Sequence, residues 1–231
     1  MTIKSLVLKF IGIGESKLEH ELKDLIQQQT NPTIAPLASN DGVMIRLTAK
    51  EISEEAADEK LLAIKQQILA NPVVADHFYA ENDETLEEKI LTLLQKHHKR
   101  LAAAESLTGG QFVDRLISVP GASKACLGGI VCYDTSVKQH VLRVPEEVIQ
   151  NHGVVSEECA IEMAKNVCDV LGANMGISFT GVAGPDPLEG QPPGTVYIAI
   201  YSDDGEQFVG KFTFSGDRQS IRRRTVLKGM E

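Results

Sequence analysis

Ser106 stands where a short apolar run, residues 101–104, gives way through Glu105-Ser106-Leu107-Thr108-Gly109-Gly110 to the helical pattern of residues 111–117. A hydroxyl on a strand-to-helix turn is lifted clear of neighbouring backbone and can attack an electrophilic carbon. The amides of Thr108, Gly109 and Gly110 open that helix without intrahelical partners, at the positive end of its dipole. They are candidates for holding a phosphate or the oxyanion of a tetrahedral intermediate. A plain helix N-cap accounts for the same residues without any chemistry, so both readings stand at this point.

A serine nucleophile needs a base. His140 and His152 fall in segments that read as solvated surface. Lys138 lies just beyond the apolar run 125–133, near the start of a helical segment, 136–142. Burial and a positive helix end both favour a neutral amine, which is the form a lysine base requires. An ordinary surface lysine on a first helical turn is the alternative. Two further segments could bind a ligand. Small residues in Thr180-Gly181-Val182-Ala183-Gly184-Pro185 would let a ligand approach backbone amides, although a purely structural turn has the same composition. Gly216-Asp217-Arg218, at a helix start, offers amides plus a guanidinium suited to phosphate, with Asp217 the expected N-cap. The run Arg222-Arg223-Arg224 reads as a solvated helix face. Gly12-Ile13-Gly14 lacks the third glycine of a dinucleotide fingerprint.

The elements that must position these groups follow from periodicity. Residues 4–11 alternate like a strand, and Ser16-Lys17-Leu18-Glu19 is a capping box opening a helix with Leu18, Leu22, Leu25 and Ile26 on one face. Residues 34–36 and 43–47 read as strands joined by the turn Ser39-Asn40-Asp41-Gly42. Ser53 starts a second helix that stops before Pro72, and residues 77–79 form a short strand. Thr85-Leu86-Glu87-Glu88 is another capping box, opening a helix that carries Leu86, Ile90, Leu93 and Leu94. Strands are then expected at 101–104, 125–133, 175–179, 195–201 and 207–214. Helices are expected at 111–117, 136–142 and 156–171, the last with Ala160, Met163, Ala164, Val167 and Val170 inward. Residues 180–194 form a Gly/Pro-rich loop, and Gly216-Asp217 opens a last helix cut short at Glu231. The fold class is therefore α/β: a layered α/β/α domain with a mixed sheet over 83–231, preceded by a small α+β domain over 1–82.

Composition narrows the function classes. The formal charge is −9, and the first 85 residues hold 8 basic and 14 acidic side chains. A broad nucleic-acid surface is not expected from such a balance, because phosphate neutralisation needs clustered Lys and Arg. No stretch approaches the roughly 18 apolar residues of a membrane span, and residues 1–6 lack a secretory pattern, so the expected location is cytoplasmic. The cysteines at 126, 132, 159 and 168 form no Cys-x-x-Cys pair and have no zinc-like spacing. They read as reduced, buried residues, and neither metal nor cofactor is expected.

The ordered motifs Ala104-Glu105-Ser106-Leu107-Thr108-Gly109-Gly110, Val119-Pro120-Gly121-Ala122-Ser123, Gly128-Gly129-Ile130-Val131-Cys132-Tyr133, Gly153-Val154-Val155-Ser156, Thr180-Gly181-Val182-Ala183-Gly184-Pro185, Gly194-Thr195-Val196-Tyr197-Ile198 and Gly216-Asp217-Arg218 resemble the C-terminal domain of the CinA family. Residues 4–80 resemble that family's KH-like middle domain. The resemblance implies an amidohydrolase that converts nicotinamide mononucleotide to nicotinate mononucleotide and ammonia in pyridine nucleotide salvage. It implies a serine–lysine dyad, here Ser106 and Lys138, passing through an acyl-enzyme. Tyr133 matches a position that assists the dyad, while Thr180 and Arg218 match positions that assist it or hold substrate. It also implies a homodimer and, as the rival reading, a non-enzymatic competence and DNA-damage role with a recombinase partner. The large N-terminal domain of longer family members is absent from these residues, so its metal-dependent pyrophosphatase activity is not expected here. Gln191 stands where relatives often carry a lysine, which bears on substrate affinity.

Overall fold

The computed structural model describes residues 1–39 and 41–231. It divides into two compact units, Met1–Lys89 with Glu231, and Ile90–Met230. The expected turn Ser39-Asn40-Asp41-Gly42 includes Asn40, which lies outside the described residues.

In the first unit, β1 (Thr2–Phe10), β2 (Thr33–Ser39), β3 (Gly42–Glu51) and β4 (Phe78–Glu81) form an antiparallel sheet in the order β2-β3-β1-β4. The helical elements are α1 (Glu15–Glu21), α2 (Lys23–Gln28), α3 (Glu54–Leu69) and α4 (Pro72–Ala75). Leu8 and Phe10 pair with Ile45 and Val43 across β1 and β3. They form a core with Leu18 and Leu22 and with Leu61 and Ile68 of α3. The Ser53 hydroxyl caps α3 by accepting from Ala56 N at 3.2 Å, as the spacing predicts. The box at Ser16 does not form. The N-cap of α1 is Gly14, and no side chain caps it; the helix breaks at Leu22 into α1 and α2. Helix α4 is also absent from the sequence expectation, although Pro72 occupies its first turn, where a missing N–H costs nothing.

Helix α5 (Leu86–Lys96) spans the boundary between the units. Its capping box closes in both directions: Thr85 N donates to Glu88 Oε2 at 2.7 Å, and Glu88 N donates to Thr85 Oγ1 at 3.2 Å. Backbone donation from Thr85 holds the Glu88 carboxyl below its ordinary range. Leu91 is buried, and Leu93 of the expected apolar set is instead largely exposed.

The second unit is built on β5 (Leu101–Glu105), β6 (Cys126–Val131), β7 (Met175–Gly181), β8 (Thr195–Ser202) and β9 (Gln207–Thr213), in the order β6-β5-β7-β8-β9. β5 runs parallel to both β6 and β7, and the β7–β8 and β8–β9 pairs are antiparallel. The mixed sheet follows the sequence expectation. The run 125–133 is shorter as a strand and less buried than its composition suggests, because β6 is an edge strand. Around the sheet lie α6 (Gln111–Ile117), α7 (Thr135–His140), α8 (Glu146–His152), α9 (Glu157–Leu171) and α10 (Arg218–Met230). Helix α8 was not expected from the sequence.

Alternation along β7 sorts the two faces of the sheet. Phe179 packs against Phe112 of α6 with ring centroids 5.0 Å apart, and Gly229 of α10 lies over Phe179 and Ile177. On the opposite face, Ser178 donates to Ala160 O of α9 at 2.6 Å. A Cβ on Gly176 would stand 2.0 Å from Ala164 O, so only glycine lets α9 approach β7 this closely. Ala160, Met163, Ala164 and Val167 are buried as expected, with Cys159 and Cys168 beside them, while Val170 is only half-buried. All four cysteines are free and buried. Burial pushes the Cys132 thiol up to about 11 and that of Cys159 up to about 12. Such thiols stay protonated and inert.

Ser156 caps α9, accepting from Cys159 N at 3.1 Å and donating to Gly153 O at 2.9 Å. Ser156→Ala removes both bonds from a buried cap. It is expected to lower the stability of the second unit by about 1 kcal/mol, seen as a lower urea midpoint at unchanged m-value.

Candidate active site

The carboxyl ends of β5, β6 and β7 lie side by side, and each delivers one part of the site. Ser106 follows β5 directly, and its N–H donates to Phe179 O of β7 at 2.9 Å. Beyond β6 the chain turns at Asp134, whose carboxylate caps α7 by accepting from Ser136 N at 2.8 Å and from Ser136 Oγ at 2.5 Å. Those bonds, the hydroxyl's foremost, lower the Asp134 carboxyl from its ordinary range. The cap fixes the register of a short helix, and that register turns Lys138 inward rather than into solvent.

Lys138 is 2% exposed. Its Nζ lies 3.0 Å from Ser106 Oγ, 2.6 Å from Cys132 O and 3.2 Å from Tyr133 O. All three partners are uncharged. The two carbonyls can only accept, so they take two N–H groups, and the third direction faces a hydroxyl that can either accept or donate. Nζ therefore donates to both carbonyls and lies within hydrogen-bond reach of the Ser106 hydroxyl.

Ser106 and Lys138 line a cavity of about 400 Å³ together with Tyr133, Thr180, Gly181, Ala183, Gly184 and Arg218. Thr180 and Gly181 belong to β7 rather than to the expected loop, paired with Tyr197 and Val196. A Cβ on Gly181 would stand 2.7 Å from Thr195 O, so this glycine serves the approach of β8 as well as the cavity wall. Thr180 is buried and donates to Val154 O at 2.5 Å. Arg218 follows the N-cap Asp217, whose carboxylate accepts from Ser220 N at 2.8 Å and is held below its ordinary range by that bond. The guanidinium donates to Gly184 O at 2.8 Å and to the Tyr133 hydroxyl at 3.1 Å, linking α10 to both other sides of the mouth. His140 and His152 are exposed and lie outside the cavity; His152 sits 3.2 Å from Glu158. Among the described residues no group of three or more His, Cys, Asp or Glu is placed to hold a metal ion.

Thr108, Gly109 and Gly110 are not brought to this cavity. The anion held by their turn is the chain's own Glu105. Its buried carboxylate accepts from Gly110 N at 2.9 Å, Phe112 N at 3.2 Å and Val113 N at 2.9 Å. Gly109 N donates to Ser106 O at 3.2 Å. The expectation that the Gly109 and Gly110 amides receive an oxyanion is therefore corrected: both are already bonded inside the turn. The Thr108 side chain is fully buried, and its hydroxyl has no partner among the described residues. Arg222, expected on a solvated face, reaches the same turn and donates to Leu107 O at 2.8 Å and Thr108 O at 3.3 Å.

Glu189 is a further cavity residue that the sequence did not flag. Its two carboxylate oxygens accept from Val154 N and Val155 N, each at 3.1 Å, strapping the loop 182–194 across the site. Its partners lie 34 and 35 residues away, so no local pattern points to it. Glu105 did carry a signal, being an acid at the end of a strand that leads into a helix start. Gln191 pairs through its backbone with Leu188 and is not part of the cavity lining.

Comparison with known proteins adds an independent line. A profile described as the CinA C-terminal domain matches residues 83–231, and one described as the damage-inducible protein CinA KH domain matches residues 5–80. Competence-damage inducible proteins from Oceanobacillus iheyensis and Geobacillus kaustophilus are each 50% identical, over 99% and 98% of this chain. Both alignments cover 54% of the relative, so the chain spans about half the length of the curated relatives it matches. Among solved structures, the competence damage-inducible protein A from Klebsiella pneumoniae is similar at 30% identity and a TM-score of 0.61, over 63% of this chain and 90% of that one. A CinA superfamily protein from Enterobacter cloacae gives 30% and 0.61 over 64% and 91%.

Glu105→Ala leaves one buried and two half-buried amides without this acceptor. It is expected to destabilise the second unit by roughly 3 kcal/mol or more, read from its urea unfolding curve, with Glu105→Gln falling between the two.

Proposed function

The chain belongs to the CinA family, and from that premise we propose that its second unit hydrolyses the carboxamide of nicotinamide mononucleotide to nicotinate mononucleotide and ammonia. The observation that carries this reading is the 3.0 Å contact between a buried Lys138 amine and the Ser106 hydroxyl in a cavity wall. A lysine paired only with uncharged groups and facing a serine is the arrangement that general-base activation needs. The choice of substrate follows from the family resemblance. The cavity is compatible with it in having a guanidinium at its mouth for a phosphate and small residues along one wall.

In the proposed reaction Lys138 takes the Ser106 proton as Oγ bonds to the carboxamide carbon, and the carbonyl π pair moves onto oxygen. Collapse of the tetrahedral intermediate breaks the C–N bond. Lys138 returns the proton to the departing nitrogen, which leaves as ammonia. Water then adds to the acyl-enzyme, giving up a proton to Lys138; collapse breaks the acyl C–Oγ bond, Lys138 returns that proton to Ser106 Oγ, and the product leaves as its carboxylate after losing its acid proton to solvent. Arg218 binds the phosphate, Tyr133 borders the dyad with its hydroxyl held by Arg218, and Thr180 fixes the wall at Val154. The proposed residence is the cytoplasm, where this substrate is found; no described helix is long and apolar enough to cross a membrane.

The relatives' description as competence-damage inducible proteins favours a second reading, an interaction role in competence or the damage response without turnover. Ammonia release from nicotinamide mononucleotide separates the two. The amidase reading expects turnover by the parent and a loss of at least about 1,000-fold in both Ser106→Ala and Lys138→Ala. No release above background by the parent overturns it, and turnover surviving Ser106→Ala removes the serine from its role. Arg218→Ala is expected to raise KM by roughly 10-fold or more with a smaller change in kcat, as for a group that binds ground and transition states alike.

A further inference from the structure

We infer that the oxyanion of this reaction is received by the backbone N–H of Leu107, the residue after the nucleophile. The inference rests on the serine chemistry proposed above. Ser106 O accepts from Gly109 N and so points into the turn. In a trans peptide the carbonyl and the following N–H point in opposite directions, so the Leu107 N–H is directed out of the turn, between two residues that line the cavity. Leu107 is 3% exposed, and among the described residues its N–H has no hydrogen-bond partner. A buried amide without an acceptor is rare in a folded protein. Here it lies next to the attacking oxygen, where the negative charge develops.

The surroundings hold that N–H still. On one side, Glu105 ties the start of α6 to the end of β5. On the other, Arg222 grips Leu107 O and Thr108 O from α10. The Ser106 N–H is already committed to Phe179 O, and the Gly109 and Gly110 amides are committed inside the turn. Leu107 is thus the cavity-lining residue of this turn whose amide is unengaged. As Oγ bonds to the carboxamide carbon, the electron pair displaced onto oxygen would meet this donor, fixed before the reaction begins.

The test replaces the Leu107 amide with an ester by incorporating the α-hydroxy analogue of leucine, which removes the N–H and keeps the side chain. Two rates are followed: ammonia release from nicotinamide mononucleotide, and covalent labelling of Ser106 by a fluorophosphonate, whose phosphoryl oxygen needs the same donor. The expected result is a fall of about 100-fold or more in kcat, with KM little changed and a matching fall in labelling rate, in a protein whose unfolding midpoint stays near the parent's. An ester variant that labels and turns over within a few-fold of the parent overturns the inference and leaves the serine reading intact. Labelling that slows in the ester variant of a chain without turnover supports the inference while removing the proposed substrate. A parent in which Ser106 is not labelled overturns both the inference and the nucleophile.

Discussion

An amine taken out of water has to recover its hydrogen bonds from the protein or remain costly to bury. Lys138 recovers them from Cys132 O, Tyr133 O and Ser106 Oγ. Much of the second unit can be understood as the support for that contact. β6 must end where it does for two carbonyls to point at one nitrogen. Asp134 must cap α7 so that its fourth residue turns inward. The parallel pairing of β5 with β6 must bring residue 106 level with residue 132, and Cys132 N donating to Glu105 O at 2.9 Å continues that pairing past the strand ends.

The anion-binding capacity of the backbone is spent largely on the chain's own carboxylates. Glu105 occupies the amides at the start of α6, and Glu189 occupies those of Val154 and Val155. Both acids face amides that a ligand would otherwise find, and both convert that attraction into rigidity. One pins the Ser106 turn to its strand. The other ties a loop of small residues and prolines across the cavity. This economy leaves few donors exposed at the site, so the guanidinium of Arg218 stands at the mouth and the unengaged Leu107 amide beside the serine.

The first unit is built on a different plan, an antiparallel sheet with helices packed on it, and residues 1–85 carry 8 basic against 14 acidic side chains. Residues 5–80 match the CinA KH domain without the Gly-x-x-Gly loop by which KH domains clamp RNA. The candidate site lies at the ends of the parallel strands of the second unit, the usual place for a site in an open α/β sheet.

Local sequence determined much of this molecule. Strand alternation, the capping box at Thr85, the helix starts at Ser53 and Ser156, the N-cap at Asp217 and the strands β8 and β9 depend on neighbours a few residues apart, and they were legible as patterns. Ser106 was legible too, as a residue between a strand and a helix. The box at Ser16 misled because Gly14 already provides the extended residue that starts α1. Tertiary structure alone decided the rest, because the decisive bonds join residues far apart in the chain. Ser106 meets Lys138 across 32 residues, and Arg222 reaches Leu107 across 115. The filling of the α6 amides by Glu105 is a matter of which acceptor arrives first. Spacing shows that amides at a helix start need a partner, but only the folded chain shows that a carboxylate from the preceding strand already supplies one.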